Sequence, residues 1–232
     1  MAKKNSDQNA ATAENVSFVE VKGENKFNPE SFIQNNQKNL TYIVGGMVAV
    51  ALLYFGYKML YLAPKQKEAI EAMYKAETLF AQDSFAQALE KPGAEAEGFL
   101  DIINNYSGTK AANLAKYYAG VCYLNLGKYE DAISYLEDFD APDDLTSSSR
   151  AGALGDAYAE TGDKDKAVNY YKQASQSTEN EMLAPYYLNK LALFYFVEGK
   201  NAESLETFKS IVDNYPDAEQ AAEAKKYIAR LE

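Results

Sequence analysis

Between Ala111 and Pro216 one arrangement of small, aromatic and polar positions is written three times. Gly120, Tyr123, Gly127, Ala132 and Leu136 have the spacing of Gly155, Tyr158, Gly162, Ala167 and Tyr171, and of Ala192, Tyr195, Gly199, Ser204 and Phe208. The copies recur after 35 and 37 residues, the period of stacked helix pairs. The leading small residue and the Tyr lie three apart, on one helix face, so that a bulky ring stands beside a gap. The Gly that follows closes the helix, because it adopts the left-handed backbone of a C-terminal cap without steric cost. On a second helix the later small residue and the large apolar one lie four apart and repeat the arrangement. Such a hairpin cannot bury its own apolar face and has to stack on a copy of itself.

These residues resemble the tetratricopeptide repeat (TPR) family, with Pro216 ending the third unit where the family has proline. The first two units carry Asp144 and Glu179 there instead. The resemblance implies an all-α helix-hairpin solenoid whose first helices line a concave binding side. Residues on that side are Tyr117, Val121, Leu124 and Asn125, then Asp156 and Glu160, then Tyr186, Asn189, Lys190, Leu193 and Phe196. Tyr117, Asn125, Asp156, Tyr186 and Asn189 are the candidate protein-binding residues, since rings supply contact area at small entropic cost and amides supply hydrogen bonds. Phe196 and Leu193 also suit packing between repeats. A two-carboxylate clamp for chaperone tails, known in one TPR subfamily, does not fit: Tyr117 and Val121 stand where it needs Lys and Asn, and Tyr186 where it needs another Lys.

Outside the repeats the pattern changes. Met1 to Asn39 is polar with thinly spread apolar residues, a composition that cannot offset ordering entropy, and it reads as a mostly disordered tail. Phe27 to Asn39 leaves a short interfacial helix open. Leu40 to Tyr57 then runs eighteen residues without a charge and apolar character continues to Ala63, enough to cross a hydrocarbon core of roughly 30 Å with Lys58 snorkelling outward. Tyr42 at one end and Tyr54, Tyr57 and Tyr61 at the other suit the interfaces. An uncleaved anchor fits better than a buried core helix or a cleaved signal peptide, given the polar residues ahead of it and the lack of a small-x-small cleavage site behind it. Lys26 and Lys38 on one side, against Lys58, Lys65 and Lys67 on the other, leave its orientation open and slightly favour an external tail.

The expected division is therefore a tail over 1–39, a transmembrane helix over 40–62 and a TPR domain over 63–232. Within the last, 63–110 reads as a degenerate first repeat, 113–146, 148–181 and 185–216 as full repeats, and 217–232 as a capping helix. In the degenerate unit Ile70, Met73, Tyr74, Ala76, Leu79 and Phe80 have helical period, and the connection around Asp83 to Ala94 is enlarged, with Lys91-Pro-Gly as a break. The capping helix carries Ala221, Ala222, Ala224, Tyr227, Ile228 and Leu231 at helical spacing.

Chemistry narrows the reading further. The chain has no His and one Cys, so it offers no Ser/His or Cys/His pair, no imidazole metal site and no internal disulfide. Cys122 reads as a small core residue. The glycines fall at helix ends rather than in a phosphate-cradling loop. No catalytic residue, metal ligand or cofactor is expected. A net charge of −11, concentrated beyond Ala63, speaks against nucleic acid and anionic membrane surfaces as partners.

The order of parts, with KQKEAIEAMYKAETLF, GFLDIINNYSGTKAANLAKYYAGVCYLNLGKYEDAISYL and GDAYAETGD, resembles the YfgM-like group of bacterial inner-membrane TPR proteins in its Bacteroidetes form. That resemblance implies an amino terminus in the cytoplasm, repeats in the periplasm, and work as an accessory of the SecYEG translocon with a PpiD-like membrane-anchored chaperone and secreted clients. It supplies no defined set of binding residues.

Overall fold

The computed structural model describes residues 29–90, 96–176 and 182–232. Among these the regular structure is helical, apart from an isolated bridge residue at Ala96. The chain falls into two compact units, Met1–Leu53 and Tyr54–Glu232.

In the first unit, α1 (Pro29–Asn35) is helical in the stretch where composition left helix and solvated tail open. Residues 1–28, most of the expected disordered tail, lie outside the described residues. Next comes α2 (Gln37–Gly56), none of whose residues is buried although nearly all are apolar. An apolar helix left unburied by the other described residues suits either a membrane span or a signal sequence. The chain is helical from Gln37 through Phe80, and this stretch contains a window long and apolar enough to cross a membrane, as a single span or as a signal sequence.

In the second unit the end of α2 gives way to a π-helical stretch, Tyr57–Leu62, in which the Ala63 N–H donates to the Lys58 carbonyl, five residues back. Pro64 explains it. Proline brings no N–H and crowds the carbonyl four residues earlier, and a widened turn absorbs both defects without breaking the helix. Ten α-helices follow among the described residues: α3 (Ala63–Phe80), α4 (Phe85–Glu90), α5 (Phe99–Asn105), α6 (Lys110–Asn125), α7 (Tyr129–Asp138), α8 (Asp144–Thr161), α9 (Lys164–Ala174), α10 (Leu183–Val197), α11 (Asn201–Asn214) and α12 (Glu219–Leu231). The pairs α6/α7, α8/α9 and α10/α11 pack as hairpins, α7 against α8 and α9 against α10 join successive pairs, and α12 covers α11 and α10.

The three-fold motif has the mechanical role its spacing assigns. Gly127, Gly162 and Gly199 have φ of 71°, 83° and 71°. The next residue's N–H returns to the motif tyrosine in each copy: Lys128 to Tyr123 at 2.9 Å, Asp163 to Tyr158 at 3.0 Å and Lys200 to Tyr195 at 2.9 Å. This double cap satisfies carbonyls that the helix end would otherwise leave open. The leading small residue makes room for the second helix. A Cβ at Gly120 would lie 2.6 Å from Leu136 Cγ, and one at Gly155 would lie 2.6 Å from Tyr171 Cδ1. In the third copy the buried Ser204 hydroxyl donates to the Ala192 carbonyl at 2.9 Å. Leu136 and Phe208 are fully buried, each stabilising its hairpin by roughly 1.5–3 kcal/mol. Cys122 is buried in the separate core cluster that includes Met73, Phe99 and Ala115, and burial pushes its thiol up to about 12.

In place of the family proline, the turn after α7 is clamped by side chains. Asn113 accepts from the Asp140 N–H at 3.0 Å and donates to the Asp140 carbonyl at 2.7 Å, while Arg150 donates to the Phe139 carbonyl at 2.9 Å. Asp143 and Thr146 then form a reciprocal capping box at the start of α8. Glu179 and the Lys91-Pro-Gly break lie outside the described residues.

The degenerate unit differs from its sequence reading in two ways. Ile70 and Tyr74 are exposed (58% and 76%), whereas Ala69, Met73 and Ala76 are buried. Each residue turns a helix by about 100°, so the stripe through Ala69, Met73 and Ala76 leaves Ile70 and Tyr74 outside it. The enlarged connection also contains α4. Moreover, α3 ends as the other first helices do: Asp83 has φ 56°, the Ser84 N–H returns to the Leu79 carbonyl at 2.9 Å, and the Asp83 N–H returns to that of Phe80. Ala76, Leu79 and Asp83 thus hold the places of Gly120, Tyr123 and Gly127, and buried Ala88 on α4 holds that of Ala132. Gln66 on α3 completes the join by accepting from the Lys110 N–H, at the start of α6, at 2.6 Å.

Candidate functional site

The first helices of successive repeats present equivalent residues to a shared face, and α6, α8 and α10 place a polar cluster there. At its centre is Asp156 on α8, which follows the motif residue Gly155. Its Oδ1 accepts from the Tyr171 hydroxyl at 2.8 Å, and both of its oxygens, Oδ1 and Oδ2, accept from Lys190 Nζ, at 2.8 and 2.6 Å. Lys190 lies on α10 and also stands 5.5 Å from the centroid of the Tyr186 ring. Tyr186 meets Tyr187 edge-on at 5.0 Å. Tyr187 is buried against Gly152, where a Cβ would come within 2.0 Å of its ring.

Burial raises the pKa values of these phenols. Desolvation pushes Tyr187 up to about 12, with Tyr117 nearby adding to it and the Ser149 hydroxyl partly offsetting it. Tyr171 is raised by desolvation and then by the Asp156 carboxylate that accepts its hydrogen bond. Tyr117 is raised by desolvation, again partly offset by Ser149. All three therefore stay neutral donors at physiological pH.

The structure gathers Tyr117, Asp156 and Tyr186 around this cluster, but not the other two sequence candidates. Asn125 is exposed and donates to the Val121 carbonyl of its own helix at 2.8 Å. Asn189 points toward α12, donating to Glu223 at 3.1 Å, and its Oδ1 is buried without a hydrogen-bond partner. Phe196 packs against the capping helix α12, 5.3 Å from Tyr227 with Arg230 5.0 Å from its ring, and Leu193 lies half-buried in the same core. Ser149, Tyr171 and Tyr187 were missed by the sequence reading. The available signal was tyrosine, with its hydroxyl, where Leu136 and Phe208 stand in the sister repeats.

The arrangement supplies exposed and half-buried rings, one cross-repeat ion pair and neutral phenol donors on a rigid scaffold. Among the described residues no three His, Cys, Asp or Glu side chains cluster to hold a metal. What the fold and this face define is a stacked helix-hairpin protein that offers a binding surface. Profiles of the tetratricopeptide repeat match residues 114–141 and 153–219, so the chain carries TPR units over these segments. Such repeats point to protein–protein interaction. No curated protein matches the chain.

Proposed function

We propose that this protein is a membrane-anchored TPR adaptor with chaperone-like binding, an accessory of the SecYEG translocon that holds envelope proteins as they emerge. In this reading the apolar segment spans the bacterial inner membrane once, the repeats work in the periplasm beside a PpiD-like chaperone, and the protein is not an enzyme and needs no cofactor. The observation that carries it is the pairing of a helix apolar on every side with a repeat face whose aromatic rings surround an internally neutralised ion pair. A face of that kind grips polypeptide through ring area rather than through net charge. A tether converts weak capture into effective binding, because a surface fixed near its clients meets them at raised effective concentration.

The test is site-specific photo-crosslinking in cells from positions 117 and 186, with protease protection fixing the side of the membrane. Crosslinks to translocon subunits, a PpiD-like chaperone or many nascent proteins, from a protease-accessible periplasmic domain, are expected. One stoichiometric partner unrelated to secretion would replace this reading with that of a structural scaffold. Repeats protected inside the cytoplasm would overturn it.

A further inference from the structure

The relation between repeats that builds the Asp156–Lys190 pair recurs at the start of the stack with half of it missing. Asp156 directly follows the small motif residue Gly155, and Lys190 stands two places before the next small residue, Ala192. Applied to α3 and α6, the same rule selects Glu77, which follows Ala76, and Tyr118, two places before Gly120. The two helices do meet here, for the Tyr118 ring on α6 packs 5.0 Å from that of Phe80, one turn after Glu77 on α3, and the Glu77 carboxylate helps to raise the Tyr118 phenol, after desolvation. In this slot an aromatic ring therefore takes the place of the lysine. Tyr118 is fixed there by Phe80 and Phe99, each 5.0 Å away between centroids. Tyr74, one turn before Glu77 on the same face of α3, adds a second ring that is 76% exposed.

Glu77 is half-buried, and among the described residues no lysine or arginine pairs with it. A carboxylate in such surroundings bears a desolvation cost that a cation would offset, and adjacent phenol faces attract cations as well. The homologous slot shows what fits: a primary ammonium group held by a carboxylate at 2.6 Å.

We infer that Glu77, Tyr74 and Tyr118 form a binding site for a basic side chain, lysine or arginine, of an extended polypeptide lying on the first-helix face. This rests on the reading of that face as a polypeptide-binding surface and adds a chemical preference to it. The acidic character of the chain acts in the same direction, since it steers basic segments toward the domain.

The test uses the full-length protein in detergent micelles and fluorescein-labelled peptides of identical apolar sequence, with lysine, norleucine or glutamate at one central position. Anisotropy titrations at low salt are expected to give about five-fold tighter binding of the lysine peptide than of the norleucine peptide, the scale of one partly exposed ion pair with a cation–π contact. Glu77→Gln should bring that ratio to about one and leave norleucine-peptide binding unchanged. Tyr74→Leu, at an exposed position that does not support the core, should lower the ratio without abolishing it. Peptide binding with no lysine preference, or with a preference that Glu77→Gln leaves intact, overturns the basic-residue site while the polypeptide-binding face stands. No binding of any of the peptides overturns the face and the site together.

Discussion

Gly152→Ala isolates the close approach on which the cluster between α8 and α10 depends. The added methyl carbon would sit 2.0 Å from Cε1, 2.5 Å from Cζ and 2.7 Å from Oη of Tyr187, far inside contact distance. Tyr187 is 7% exposed and cannot swing into solvent without leaving its core. Two effects of opposite sign compete. Replacing glycine by alanine inside a helix favours folding by about 1 kcal/mol, whereas forcing a methyl group into a packed site costs about 1–3 kcal/mol and more where an aromatic ring has to be displaced. The overlap here involves two ring carbons and the hydroxyl oxygen, so the steric effect wins, with a net loss of about 1–2 kcal/mol. For a domain of this size that is a fall in Tm of roughly 2–8 °C. The assay is thermal unfolding of the full chain in detergent, followed by near-ultraviolet circular dichroism of the tyrosines. Tyr187→Leu should be destabilising alone, yet the double variant should be more stable than the two single losses predict, because the smaller side chain vacates the clash. A Gly152→Ala protein as stable as the parent, or additive losses in the double variant, would refute the packing assigned to this pair.

Three further outcomes follow from named contacts. Asp156→Asn removes the charge that faces Lys190 and weakens the acceptor of Tyr171, and should cost about 1–2 kcal/mol in urea unfolding, a figure already reduced for the partial exposure of both charged groups; a change too small to measure would show the pair to be idle. Asp83→Gly places at φ 56° a residue with no penalty there and should raise stability by up to about 1 kcal/mol, so a lower Tm would contradict the cap assigned to α3. Alkaline titration should unfold the repeats cooperatively as pH passes from 10, the ordinary tyrosine value, toward about 12, the value to which burial raises Tyr187. The sign follows from linkage: above pH 10 the unfolded chain ionises this phenol while the folded chain keeps its proton, so stability present below pH 10 is lost as pH rises. Full stability retained at pH 12 would contradict the burial of Tyr187.

Much of the architecture is legible in the chain itself, because it depends on short-range backbone chemistry. The caps at Gly127, Gly162 and Gly199 need a residue tolerant of positive φ, and the gaps at Gly120 and Gly155 need a residue without a side chain. Glycine announces both. The cap at Asp83 shows the limit of that legibility: aspartate also enters the left-handed region but does so rarely, and Leu79 stands where the sister helices have tyrosine, so the copy on α3 becomes visible only through its hydrogen bonds.

The binding face divides in the same way. Sequence alone determined the repeat period, the helix pairs and the apolar segment, since all of these follow from residue type at fixed spacing along one helix. Only the tertiary structure decided that Asp156 takes Lys190 and Tyr171 as partners, that Asn125 folds back on its own helix while Asn189 turns to Glu223, and that Ile70 and Tyr74 face outward. These outcomes depend on the rotation and offset of one helix against the next, and those are set by how side chains distant in the chain fill the space between them.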